Sequence, residues 1–347
     1  MKAYISAFLV TVVSLCALWV AVFYMALGNP VSKSRWIADI YQLKEQAAFA
    51  VSGEKVVFVS GSNIVFGLDS QKLAKSWNLP VINFGVHGGL GVAYILERSK
   101  RVLKAGDIAI LPLEYNYYQE DGVVSETLII HAFSDDRDYF QSLSLVDKAR
   151  FVAKTRFKIL KKGFKASLRN DAVSQHGKPN DNSNMGEYRV ENMNAYGDQV
   201  NLEPEKISFK DREKVRKINK PKPLRSGGSV PSDYSSDVLR NYISWAKENE
   251  ICLIFMPPNY MYFDEYRRPV YRTFFEDIRS FFSSNDVAYI GESYDYMFNR
   301  SYYFGTIYHL DSLGVEKRTA RVLEDIGSNP KVICNPPVYL SGEAQGL

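Results

Sequence analysis

The sequence predicts an α/β protein in which a mainly parallel sheet is covered on both faces by helices and is preceded by one transmembrane helix. Three observations predict it. Short, β-branched apolar runs recur without the alternation of a half-solvated strand, segments with helical spacing separate them, and the chain begins with a long uncharged apolar stretch. With 347 residues, 46% hydrophobic and 24% charged, the chain has enough apolar surface for one large domain with an insertion or two modest domains. That excludes a disordered chain or a disulfide-stapled miniature.

From Tyr4 to Leu27 no residue is charged, which is about the length needed to cross a ~30 Å hydrocarbon core. The run exceeds the apolar core of a cleavable signal peptide and ends weakly in Ala26-Leu27-Gly28, so residues 1–30 are expected to be an uncleaved anchor. Its flanks balance: Lys2 and the α-amine on one side, Lys33 and Arg35 on the other, so orientation must come from elsewhere. Residues 31–347 form the body. A polar helical connector is expected around Ser34 to Ala50, and Lys55 to Ser60 (KVVFVS) then reads as a buried strand turned by Gly61-Ser62-Asn63. Ile64, Val65, Leu68, Leu73 and Trp77 fall near helical spacing before the next strand, Pro80 to Phe84. The unit repeats with a glycine-rich turn from Gly85 to Gly91, a helix from Val92 to Leu103 and a strand from Asp107 to Leu113. Farther on, helices at Val238 to Asn249 and Val270 to Phe282 alternate with strands at Ile251 to Met256 and Val287 to Ile290.

Between these halves, residues at about 165–232 are polar, basic and rich in Gly, Pro, Ser and Asn, as expected of a partly mobile insertion. Lys154, Arg156, Lys158, Lys161, Lys162 and Lys165 cluster on its approach. Such a run is either a solvated face or a patch for anionic headgroups or an acidic polymer. A net charge of +4 is too small to favour nucleic-acid binding. Cys16, Cys252 and Cys334 have no CxxC spacing, so neither a zinc site nor a disulfide framework is expected. Four histidines, including His131 and His176, without HExxH or paired spacing imply no metal.

Ser62 stands where a strand turns into a helix, a place for a nucleophile, for a phosphate held by turn N–H groups, or for a plain N-cap. Three further turns at strand ends share its crevice in a parallel sheet: Asn83 to Gly89, Glu114-Tyr115-Asn116, and Tyr308 to Gly314. The tyrosines at 115–118 and 260–262 are either core or a stacking rim for sugar rings. Ser60-Gly61-Ser62, the Asn-x-Gly-x-x turn ending at Gly88, Asn116, and the YHLDSLG run holding His309 and Gly314 resemble, in order, the four blocks of the SGNH (GDSL-like) hydrolase and acyltransferase superfamily. The local wording resembles its membrane-anchored branch associated with cell-surface polysaccharide O-acylation.

That resemblance implies a three-layer, flavodoxin-like SGNH fold with the body outside the cytoplasm, in the periplasm. It implies an O-acyltransferase or esterase that moves acetyl groups on a cell-surface polysaccharide, beside a membrane-bound O-acyltransferase and without a cofactor. Ser62 would attack the acyl carbonyl, His309 would carry the proton, and an oxyanion hole would come from the Ser62 and Gly88 N–H groups and the Asn116 amide. Asn63 and His87 are candidate substrate contacts. The sequence departs from the family at Thr306, where the triad aspartate belongs. Either a backbone carbonyl orients His309, or Glu114 or Thr306 substitutes, or the domain is a non-catalytic accessory that binds polysaccharide or docks on the membrane acyltransferase. Asp311 is expected to serve a solvated turn, and Arg318 and Thr319 to lie at the surface or cap a helix.

Overall fold

The computed structural model describes residues 1–29, 35–168, 188, 190–224 and 228–334. In chain order the elements are α1 (Lys2–Ala26), α2 (Arg35–Phe49), β1 (Val56–Phe58), α3 (Ser62–Val65), α4 (Ser70–Trp77), β2 (Val81–Asn83), α5 (Val92–Ser99) and β3 (Ile108–Leu111). Four helices follow, α6 (Glu126–Asp135), α7 (Arg137–Ser142), α8 (Leu145–Lys154) and α9 (Phe157–Leu168), and then α10 (Phe209–Arg216). The chain continues with α11 (Asp233–Glu248), β4 (Cys252–Phe255), β5 (Tyr260–Met261), α12 (Pro269–Ser283), β6 (Ala288–Tyr289), β7 (Met297–Phe298), α13 (Ser312–Ile326) and α14 (Lys331–Cys334).

Contacts divide the chain into two compact units. The larger, residues 43–88, 95–122 and 191–347, holds a five-stranded sheet in the order β2-β1-β3-β4-β6, with every pairing parallel. The protein is thus α/β with a parallel main sheet. Val57 pairs with Ile82 on one side and Ala109 on the other, so β1 is interior and its residues are buried on both faces, which is why it reads as an unbroken apolar run. Phe58, Ile64, Leu73, Trp77, Ile110, Ile254 and Val322 share the core beneath it. The chain leaves β1 for β2 on one side and takes up β3 on the other. This reversal of strand order makes the carboxyl ends of β1 and β3 a switch point, the place where open α/β sheets bind their ligands. β5 and β7 form a separate parallel pair.

The helix expected over Ile64 to Trp77 is two helices, broken between Val65 and Ser70. Gly67 lies at the break, where any Cβ would overlap the Asn63 carbonyl and the Arg318 guanidinium. The break frees the Phe66 carbonyl to accept from Leu310 N at 2.9 Å. Of the expected insertion, His176 and its polar neighbours lie outside the described residues. The part at 190–224 is no mere linker: Asp198 is buried and accepts from Ser70 N (2.8 Å), Ser70 Oγ (2.7 Å) and Asn83 Nδ2 (2.8 Å), while Asn83 N donates to Tyr196 O (2.8 Å). The cysteine expectation also fails, because Cys252 and Cys334 form a disulfide across 82 residues and tie α14 to β4.

The smaller unit comprises residues 1–42, 89–94 and 123–190. α1 is 25 residues long and contains an 18-residue stretch with a mean hydropathy of 2.5, long and apolar enough to cross a membrane. Its last turns pack on α6–α9: Phe23 is fully buried, with Phe133 and Phe140 each 5.2 Å away between ring centroids. Nearby, the Tyr94 hydroxyl donates to Asp136 Oδ2 (2.7 Å) and stands 2.8 Å from His131 Nε2, so His131 is a core histidine of this unit.

Candidate active site

β1 ends at Phe58, and Gly61 caps the four-residue helix that begins with Ser62. The turn is tied to the end of β3 by two bonds to one carbonyl, from Ser60 Oγ (2.8 Å) and Asn63 Nδ2 (2.7 Å) to Pro112 O. The Asn63 side chain, a candidate substrate contact, is fully buried and braces this turn. His309 arrives on the segment before α13, held by Leu310 N on Phe66 O and by Phe304 N on His309 O (3.1 Å). Phe66 stacks on its ring with centroids 4.2 Å apart.

These constraints place His309 Nε2 2.9 Å from Ser62 Oγ, joining residues 247 positions apart. Both are almost buried, 7% exposed at Ser62 and 1% at His309. If Ser62 donates, His309 must carry its own ring proton on Nδ1.

Glu114 stands on the other side of Ser62. Its Oε1 accepts from Asn63 N at 3.3 Å and lies 3.5 Å from Ser62 Oγ. A Cβ on Gly88 would come within 2.5 Å of Glu114 Oε2, and one on Gly61 within 2.5 Å of Oε1. Both glycines are needed to seat this carboxyl. Glu114 is thus drawn to the Ser62 turn by Ser62 and Asn63, with His309 acting on it electrostatically. Burial pushes the Glu114 carboxyl above the usual carboxylate range, against the pull of Asn63 N–H, His309 and Lys222.

Gly88 is brought beside the Ser62 turn, as the motif order implies, and its carbonyl accepts from Tyr117 OH (3.2 Å). Asn116 begins to leave β3 in the short helical turn 115–119, where its Oδ1 accepts from Tyr308 OH at 3.4 Å. His87 is partly buried near the site, where burial first and the proximity of His309 second hold its imidazole down to about 4, hence neutral at pH 7. Thr306 is exposed, and its hydroxyl accepts from Tyr308 N at 3.1 Å, shaping the turn ahead of His309.

Sequence reasoning missed Arg318 and Asn259. Arg318, expected at the surface, is 1% exposed and reaches both Asn63 O (2.6 Å) and Asn259 Oδ1 (2.5 Å). Asn259 Nδ2 in turn donates to Tyr308 O at 2.7 Å. One guanidinium therefore braces the residue after Ser62 and, through Asn259, the residue before His309. Burial pulls it down to about 10, which leaves it charged at neutral pH. Thr319 is likewise buried, accepting from Asp69 N (3.0 Å). Asp311 is a buried helix cap, accepting from Gly314 N (2.9 Å), and not a solvated turn. Tyr115, Tyr117, Tyr118 and Tyr260 are buried as well, and Tyr115 and Tyr260 meet edge to face at 5.2 Å, so these four pack the core, whereas Tyr262 is partly exposed.

Among the described residues no group of three or more His, Cys, Asp or Glu side chains is placed to hold a metal ion. No protein-family model, curated protein or solved structure matches the chain.

Proposed function

We propose that this chain is a membrane-anchored, SGNH-like O-acyltransferase or esterase whose body lies outside the cytoplasm and acts on acetyl groups of a cell-surface polysaccharide. The observation that carries the reading is the 2.9 Å approach of Ser62 Oγ to His309 Nε2 at the carboxyl end of β1. The strand order β2-β1-β3-β4-β6 is the order of a flavodoxin-like sheet, which supports the three-layer SGNH architecture. The Cys252–Cys334 disulfide supports an oxidising, extracytoplasmic compartment such as the periplasm, with α1 as the anchor.

In this reading Ser62 Oγ attacks the acyl carbonyl carbon and passes its proton to His309 Nε2. The tetrahedral intermediate collapses to an acyl-serine as His309 returns that proton to the leaving oxygen. Water or a sugar hydroxyl then repeats the steps in reverse. Glu114 takes the place at which a negative charge develops on the carbonyl oxygen. An ionised carboxylate there opposes that charge, whereas a neutral carboxylic acid donates to it, together with Asn63 N–H. Burial of Glu114 favours the neutral form. The usual triad aspartate is thus absent, and the Ser62–His309 pair faces a carboxyl whose neutral form burial favours.

The test is intact-protein and peptide mass spectrometry of the full chain in detergent after exposure to an activated acetyl ester. One added acetyl group mapping to Ser62 is expected, abolished in Ser62→Ala and slowed by on the order of 10²- to 10⁴-fold in His309→Ala. The burial of both dyad side chains favours a second reading, a non-catalytic accessory that binds polysaccharide or docks on a membrane-bound O-acyltransferase. A folded protein with no Ser62-dependent adduct would establish that reading in place of the first.

A further inference from the structure

The smaller unit carries a surface that acyl-transfer chemistry does not use. α1 is exposed on every side from Lys2 to Leu18, and from Trp19 onward one face of it is covered by protein. Trp19 Nε1 donates to Val152 O at 3.3 Å, and its ring stacks on Phe157 with centroids 6.3 Å apart. Six residues farther along α9, Gly163 lies against Ala26, where an added Cβ would sit 3.0 Å from the Ala26 carbonyl. α9 therefore runs alongside the last two turns of α1, with Phe157 level with Trp19 and Gly163 level with Ala26.

That alignment sets a depth. The uncovered stretch from Lys2 to Leu18 rises about 26 Å at ~1.5 Å per residue, a little short of a ~30 Å hydrocarbon core. The water boundary then falls close to Trp19, whose amphipathic indole is of the kind that settles at bilayer interfaces, with the exposed apolar ring of Phe157 stacked on it. Just beyond this level α9 turns its basic face outward. Lys158, Lys161, Lys162 and Lys165 are exposed at spacings of i, i+3, i+4 and i+7, while Ile159, Leu160 and Gly163 are buried on the other side. The helix contains no acidic residue to neutralise them.

We propose that the lysine face of α9 is a contact surface for anionic phospholipid headgroups, seated on the leaflet from which α1 emerges. The occupant follows from continuity with the uncovered span of α1, from the Trp19 and Phe157 pair at the boundary, and from the single sign of charge beyond it. Lysine stems long enough to reach back toward the headgroups complete the fit. The surface rests on insertion of α1 and is independent of any chemistry at Ser62.

The experiment uses the full chain reconstituted in lipid nanodiscs, with phosphatidylcholine alone or with roughly a quarter phosphatidylglycerol, and a water-soluble acetylating reagent read by mass spectrometry at each lysine. In the anionic discs Lys158, Lys161 and Lys162 are expected to label about threefold more slowly, or slower still, than in neutral discs. The difference closes in about 1 M salt, where the screening length falls to ~3 Å. The exposed Lys247 on α11 serves as the reference and labels equally in both. Equal labelling of the α9 lysines in the two discs would overturn the proposal. So would protection that a soluble acidic polysaccharide supplies in neutral discs and anionic lipid does not, which would reassign the face to a polymer.

Discussion

Ser62 has one hydroxyl proton, and two neighbours compete for it: His309 Nε2 at 2.9 Å and Glu114 Oε1 at 3.5 Å. Which one receives it depends on Glu114. In the proposed mechanism a protonated carboxyl leaves the proton of Ser62 free to go to His309, whereas an ionised Glu114 would both draw on it and repel the oxyanion. Besides His309 and Lys222, the groups that feel this carboxyl are Tyr260, Tyr308 and the buried Arg318. Acetylation of Ser62 is therefore expected to fall as pH rises through the elevated Glu114 value. Glu114→Gln, neutral at every pH and still a donor, should remove that fall, and Glu114→Ala should cost on the order of 10²-fold at all pH values. A Glu114→Gln profile that still falls with the same midpoint would remove Glu114 from the mechanism. Linkage gives a second readout. A carboxyl raised on folding binds its proton more tightly in the native state, so stability is present below the ordinary glutamate value and declines as pH rises through the raised one. Glu114→Gln should accordingly melt higher than the parent at neutral pH and lose that advantage near pH 4. Arg318→Ala leaves Asn63 O and Asn259 without their buried donor, at a cost of about 2–3 kcal/mol in denaturant titrations. Glu114 was legible in the sequence for its place at a strand end, but its approach to Ser62 and Asn63 was not, because two glycines far away in the chain shape the space its carboxyl fills.

At the scale of elements, periodicity identified the faces of the segments and not their interruptions. Ile64, Val65, Leu68, Leu73 and Trp77 are all buried, as helical spacing requires, yet the helix is broken where Gly67 lets Arg318 and Asn63 meet. Gly67→Ala is expected to destabilise by roughly 1–3 kcal/mol, since the overlap is with a backbone carbonyl and a braced guanidinium. Ser62 acetylation should slow with it, because the Asn63 carbonyl must move. The strands at 56–58, 81–83, 108–111 and 252–255 fall within the expected runs for a simple reason: parallel strands buried on both faces need consecutive apolar residues. The disulfide had no such local signature. Replacing Cys252 and Cys334 with serine, or reducing the pair, is expected to remove about 2–4 kcal/mol, read as a melting temperature lower by roughly 5–12 °C.

For the molecule as a whole, the apolar N-terminus has two structural duties along one helix. Its first part is uncovered, and its end, with Phe23, Ala26 and Leu27 buried, is core for α6–α9. A truncation starting after residue 28 is therefore expected to lose the aromatic cluster around Phe23, a loss of about 3–5 kcal/mol on the scale of large core deletions. A truncation starting at Trp19 should keep it. Thermal unfolding of the two in detergent decides: equal melting would show that Phe23 contributes nothing to the unit.

The sequence by itself determined the apolar span, the alternation that makes a parallel α/β sheet, and the order of turns that carries Ser62, Gly88, Glu114 and His309 to one end of it. These are local properties, because period, propensity and charge act between near neighbours and can be counted along a chain. Only the tertiary structure decided that Glu114 faces Ser62, that Arg318 is buried against Asn63 and Asn259, that Asp198 belongs to the core and that Cys252 meets Cys334. Each of those depends on which distant backbones approach closely enough to exclude water and on which side chains must then be satisfied or left out. That contest is settled by packing in three dimensions.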